Sequence, residues 1–302
     1  MKPIDLTKPF WQWAILIFVA ALWGSSFILM KRGLESFTHI QVGAFRMLFA
    51  GIILLPLILR KLNRLKKKDL KSLLIVAFIG NFFPSILFAL AQTKVDSSLA
   101  GMLNSLFPIT ALIIGAWFYG AHATKKSIIG VIVGLLGSFG LVLGSSSDIF
   151  SGELWYSAYI FLATVFYAIS LNEIKFKLSD LNGFTVTAFT FLFAAPVAGI
   201  TLLFTDLQTS FAQPEADWSL FYIFLLGLLS SALALLLFYT LVSYVSPVFA
   251  AAITYIIPIF AIMWGLIDGE DLGILQIISM GIVFFGVYLV NRRKTRKNYR
   301  KL

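Results

Sequence analysis

Long apolar runs alternate along the chain with short polar stretches rich in Lys and Arg. A membrane-spanning helix needs roughly 20 mostly apolar residues. Ten runs of about that length occur, near residues 10–30, 39–60, 71–92, 97–119, 127–144, 153–172, 183–204, 218–244, 248–267 and 274–291. They are continuously apolar, whereas a transmembrane β-strand would show about ten residues of alternating hydrophobicity. The pattern therefore predicts an all-α integral membrane protein with ten transmembrane helices. Little chain is left between the runs, so no separate soluble catalytic domain is expected. The first run continues into Lys31 and Arg32 without a small-residue cleavage site, and is expected to be a retained helix rather than a signal peptide.

Composition sharpens this reading. Hydrophobic residues make up 59% of the 302 positions and charged residues 13%, with a mean hydropathy of +0.91. A soluble domain carries about 25% charged residues, so this chain lacks the polar surface to coat a globule and is solvated by lipid. Cysteine is absent, which removes thiol redox chemistry and thiolate metal sites. No HExxH pattern and no deep carboxylate pair occur, so neither a catalytic residue, a metal site nor a cofactor is expected. A GxxxxGK phosphate loop is also missing, which argues against ATP as the direct energy source.

Charge placement tests the helix count. With the N-terminus in the cytoplasm, 20 of the 24 Lys and Arg residues fall in inner loops and tails. Lys31, Arg32 and Lys94 fall outside, and Arg46 alone lies well within a span. Basic residues favour the cytoplasmic side, and one helix more or fewer would destroy this asymmetry. The pI near 9.7 then reflects orientation in a plasma (inner) membrane, with both termini cytoplasmic, rather than nucleic-acid binding. The basic loop at 60–71 and the tail at 292–302 are topology anchors that can also meet anionic headgroups of membrane lipids.

The ten runs fall into two halves, residues 10–144 and 153–291, followed by the basic tail. At an offset of 144, Trp23-Gly24-Ser25-Ser26 lies over Tyr167-Ala168-Ile169-Ser170 and Lys31 over Lys175; at 150, Leu103–Trp117 lies over Ile253–Ile267, with Pro108 on Pro258. Five helices per unit is an odd number, so the second unit enters the membrane upside down. Two inverted five-helix repeats are the architecture of many secondary transporters, with the cargo site near the midplane between them.

Proline marks candidate positions for such a site. A helical Pro cannot donate to the carbonyl four residues back, so Pro108 frees Asn104, Pro258 frees Thr254 and Pro84 frees Gly80. A bared carbonyl at membrane depth needs protein or a wet cavity to satisfy it. Beside these breaks stand Asn104, Ser105, Thr254, Tyr255 and Asn81, which either contact cargo or bond neighbouring helices. Nothing in the second half matches Pro84. Trp23, Ser25, Ser26, Tyr167 and Ser170 are candidates for a gate or vestibule, or for close helix packing. Arg46, roughly 10 Å below the outer end of its helix at 1.5 Å per residue, is an intramembrane charge and a functional candidate by default. It either holds an anionic group or serves a structural partner. Glycines at 130, 134, 137, 140 and 144 share one helix face and read as a packing stripe between halves or between protomers.

The WGSSF string of the first helix, Arg46 in the second, the two Pro-bearing fourth-position helices and the segment Glu270–Val290 together resemble the EamA family of the drug/metabolite transporter superfamily, over about residues 13–291. Ala121 stands where that family's pattern places a Glu, Ser279 where a Gly is usual, and His39 where a Pro is common. The resemblance implies a ten-helix transporter of a small-molecule metabolite, often an exporter of amino acids or related compounds. A lipid or lipid-linked-sugar flippase, a channel and an intramembrane enzyme are the rival classes. Oligomeric state is not readable from the sequence.

Overall fold

The computed structural model describes residues 8–120, 125–145, 153–242, 244 and 253–291. Among these every regular element is helical. The first half begins with α1 (Pro9–Gly33), α2 (His39–Ile53), α3 (Leu55–Lys61), α4 (Leu70–Ala77), a π-helical turn at Phe78–Phe82, and α5 (Phe83–Ala91). It continues with α6 (Ser97–Asn104), α7 (Phe107–Phe118) and α8 (Lys125–Ser145). The second half holds α9 (Glu153–Lys177), α10 (Gly183–Leu203), the short α11 (Leu207–Phe211), α12 (Ala216–Leu225), a π-helical stretch at Leu226–Leu233, and α13 (Ala234–Val242). It closes with α14 (Ile253–Ile267) and α15 (Ile274–Asn291).

Six of these helical stretches are long and apolar enough to cross a membrane, seven when α2 and α3 count as one bent span. Shorter apolar helices occupy Ile128–Leu141, Ile256–Ile267 and Ile274–Leu289. The chain is thus an all-α, multi-pass membrane protein. The expected single helix at 39–60 is bent by 61° between Ile53 and Leu55. Pro56 accounts for the bend, because it stands in the first turn of α3 and its ring clashes with a continuing α-helix.

Helix starts follow from local chemistry. Thr38 caps α2 in a reciprocal box with Gln41, satisfying two otherwise bare N–H groups. Asn182 caps α10 through Thr185 N at 2.9 Å. At α6 the capping residue Asp96 makes no side-chain cap bond. Glu270, from the distant end of the chain, does it instead: Ser97 N and Ser98 N each donate to its carboxylate at 2.9 Å. A carboxylate at a helix N-terminus is stabilised by the helix dipole and its free N–H groups.

Three junctions between the halves stand out away from the cavity. Around Glu270, Lys31 pairs with Asp268 at 2.6 Å and with Glu270 at 2.9 Å, while Arg32 pairs with Asp268. Burial pushes the Glu270 carboxyl up, but the bonds from Lys31, Ser98 and Ser97 outweigh it and hold its pKa below the ordinary 4.5. The second junction packs α8 on α15. A Cβ added at Gly286 would lie 2.7 Å from the Gly130 carbonyl, and one at Gly137 would lie 2.7 Å from Val283 N. The glycine stripe therefore lets two backbones touch, as small residues do in membranes, and it joins the two halves of one chain. Third, α14 lies against α1 and α6; Gly101 faces Ala261 so closely that an added Cβ would be 2.3 Å from the alanine's own.

Candidate functional site

An internal cavity of about 150 Å³ lies among helices of both halves. A water needs about 10–15 Å³ measured this way, so the space holds on the order of ten waters or one small solute. Its polar wall comes from Trp23, Ser26, Arg46, Asn81 and Asn104 of the first half and from Tyr167, Ser170, Ser230 and Tyr239 of the second.

The helix breaks explain why polar groups gather there. The span 97–118 is broken between Asn104 and Phe107, because Pro108 has no N–H for the Asn104 carbonyl. Asn104 and Phe107 both line the cavity, and the Asn104 side chain makes no hydrogen bond with any described residue. Pro258 stands inside α14, which runs on unbroken past it, and Ile253 and Ile257 on that helix also reach the cavity. Ahead of Pro84 the helix widens into its π turn, which brings Gly80 and Asn81 to the wall. Asn81 Nδ2 donates to the Val76 carbonyl at 2.8 Å. A Cβ on Gly80 would lie 2.1 Å from Ser170 Oγ, so this turn abuts α9 directly.

The helical stretch Ala216–Leu241 contains a second π stretch, at Leu226–Leu233, although it has no proline. At the offset of 150, Ser230 and Ser231 correspond to Gly80 and Asn81. No proline there matches Pro84, as expected, yet a second π stretch occurs without one. π-Helical turns concentrate at functional sites. The sequence signal was available, since Ser230-Ser231 is a pair of hydroxyls inside an otherwise apolar run, like Ser25-Ser26.

This π stretch holds two cavity residues of the first half. Trp23 Nε1 donates to the Ser230 carbonyl at 3.0 Å, and Ser230 Oγ donates to the Leu22 carbonyl at 2.9 Å. Arg46 Nε donates to Ser231 Oγ at 2.6 Å. Tyr167 stacks on Phe88 at 5.9 Å and meets Phe107 edge-on at 6.4 Å, and Trp23 tilts against Phe238 at 5.0 Å.

The remaining sequence candidates fall elsewhere. Ser25 donates to the Ala21 carbonyl and accepts from Trp264 Nε1 at 2.8 Å; it joins α1 to α14 and does not line the cavity. Ser105 is buried and bonded to the Met102 carbonyl. The side chains of Thr254 and Tyr255 lie outside the described residues. Three residues along α9 from Ser170, Glu173 is buried, accepts from Tyr119 OH at 2.7 Å, and leaves Oε2 without a hydrogen-bond partner. No cluster of three or more potential metal ligands occurs among the described residues.

Two stretches, residues 11–143 and 154–292, match the EamA-like transporter family. A transporter of Archaeoglobus fulgidus of uncharacterized function is 25% identical over 94% of this chain and 99% of its own length. The inner membrane transporter YedA of Escherichia coli K12, also uncharacterized, is 25% identical over 90% of this chain and 88% of its own. The S-adenosylmethionine/S-adenosylhomocysteine transporter of Chlamydia trachomatis is 25% identical over 97% and 93%. A protein of known crystal structure superposes with a TM-score of 0.60 at 15% identity, covering 91% of this chain and 94% of that one, which speaks to the fold alone. The chain belongs to the EamA-like transporter family, within the drug/metabolite transporters, and is a membrane transporter of small molecules rather than an enzyme.

Proposed function

We propose that the protein is an alternating-access carrier of a small polar metabolite, an amino acid or related compound, acting in export across the plasma membrane. In this reading ten spans form two inverted five-helix repeats, residues 10–144 and 153–291. Both termini and the basic tail at 292–302 then face the cytoplasm, as the excess of Lys and Arg in those loops favours. The inner-membrane relative in Escherichia coli supports the location.

One observation carries the proposal: the cavity is walled by polar groups from both halves, beside two π-helical stretches, the interruption between Asn104 and Phe107, and the Pro258-bearing helix. Discontinuous helices meeting at a repeat interface are how secondary transporters build a cargo site. The Chlamydia relative's named cargo combines amino-acid and nucleoside chemistry, which supports a screen across both classes. Here Asn104, Asn81 and Arg46 contact cargo, while Trp23, Ser26, Tyr167 and Ser170 form the walls that close over it.

The test is counterflow into proteoliposomes. Purified protein is reconstituted, the vesicles are preloaded with candidate amino acids, nucleosides or sugar phosphates, and uptake of the labelled compound is followed. Saturable uptake accelerated by the preload is expected for at least one class. Flux that rises linearly with concentration and ignores the preload would indicate a channel instead.

A further inference from the structure

The cavity contains one fixed positive charge whose counter-charge is missing. Arg46 projects from α2 to the cavity wall. Of the five N–H donors of a guanidinium, only Nε is engaged, by Ser231 Oγ. The terminal N–H groups bond to no described residue, and none is among the buried side-chain atoms lacking partners, so they open onto the cavity. No Asp or Glu among the described residues pairs with Arg46. The acids of the Lys31 cluster are engaged with Lys31 and Arg32.

We propose that the cavity selects cargo carrying a single negative charge, a carboxylate, which docks on the free face of the Arg46 guanidinium while an apolar body lies against the aromatic wall. The inference rests on the carrier reading and specifies the chemistry of that site.

Three physical arguments support it. An unneutralised cation in a low-dielectric interior is costly, and a paired one much less so. The guanidinium fork matches two carboxylate oxygens, and its Nε bond to Ser231 fixes the plane in which it presents the remaining donors. The other lining residues are neutral, the polar ones named above beside the apolar Phe27, Met30, Phe88, Phe107, Leu235 and Phe238, so a second negative charge would find no second cation. A monocarboxylate therefore fits, and a phosphate dianion leaves one charge unbalanced. The half-buried Asn104 amide supplies a further neutral donor on the same wall.

The experiment follows thermal unfolding of the purified full chain with matched probes: benzoate against benzamide, 3-phenylpropionate against its amide, L-leucine against L-leucinamide, and inorganic phosphate. At least one acid is expected to raise Tm where its amide does not. Its affinity should fall about 10- to 100-fold in Arg46→Gln, the range for losing a charged hydrogen bond, and by less in Arg46→Lys. Should Arg46→Gln fail to fold, the acid–amide comparison on the unaltered chain carries the test. Acids that act no better than their amides overturn the proposal, and stabilisation by phosphate alone overturns the carboxylate assignment. Saturable counterflow of a neutral nucleoside that Arg46→Gln leaves intact would refute the anion site yet keep the carrier. Absence of counterflow for every solute would refute the carrier itself.

Discussion

The two π-helical stretches reach the same cavity from opposite halves by different means. At Phe78–Phe82 a proline follows closely, and the cavity receives a glycine and an asparagine amide bonded back to its own helix. At Leu226–Leu233 there is no proline, and two serines there bind the other half: Ser230 through Trp23 and Leu22, Ser231 through Arg46. The first stretch is set by its own covalent chemistry. The second holds its shape together with side chains that the first half inserts into it. A break that depends on partners can change when those partners move, which is what a rocking carrier requires of one wall of its site.

The largest effect separating the two should come from their glycines. A Cβ at Gly227 would lie 2.9 Å from the Arg46 carbonyl oxygen, whereas one at Gly80 would meet the Ser170 side chain. Gly227→Ala is expected to destabilise by about 1–3 kcal/mol, the range for overpacking, with no side-chain change able to relieve it. Gly80→Ala should be similarly damaging alone but restored by Ser170→Gly, which melting temperatures of the double variant will show. Equal rescue at both sites, or at neither, would erase the contrast.

Comparable in size is Ser231→Ala, which removes the acceptor from a charged donor and should cost about 1.5–3 kcal/mol. Asn81→Ala, at the corresponding place in the first half, loses a neutral bond worth about 1 kcal/mol. Smaller again is Trp23→Phe, which keeps the ring contact with Phe238 and loses only the bond to the Ser230 carbonyl, about 1 kcal/mol or less. If Asn81→Ala proves costlier than Ser231→Ala, the second stretch is not the one that leans on its partners.

The smallest predicted effect lies outside both stretches, at the Lys31–Glu270 junction. Because the Glu270 pKa is held below 4.5, its ionised form stabilises the fold. That contribution is complete above the unfolded value and is lost as pH falls through the lower folded value. Melting temperature should thus drop with acidification below about pH 4.5, and Glu270→Gln should show a shallower drop over that window.

The multi-pass helical character was legible because lipid demands a length and a continuity that composition displays directly. Pro108, Pro258 and Pro84 were legible for a related reason: a missing N–H has a fixed consequence wherever it falls. Arg46 stood out as a charge in an apolar run. The π stretch at Leu226–Leu233 left only the Ser230-Ser231 pair as a mark, because an extra residue per turn shows nothing of its own in the sequence when tertiary bonds sustain it. Ser25 illustrates the converse. Its sequence neighbourhood resembles that of Ser26, yet helix rotation turns it toward Trp264 and away from the cavity. The single span at 39–60 is bent at Pro56, a proline from which the sequence reading drew no consequence.

The carrier account is tested most directly by asking from which side the cavity can be reached. The chain has no cysteine, so Asn104→Cys provides a single thiol at the cavity wall, to be labelled with an impermeant maleimide in right-side-out and inside-out vesicles. The account predicts labelling from both sides. It also predicts that loosening the Lys31 junction with Glu270→Gln raises the rate from that junction's side while lowering it from the other, since the two facings share one population. Rates that rise together from both sides, or a thiol reached from neither, would contradict it.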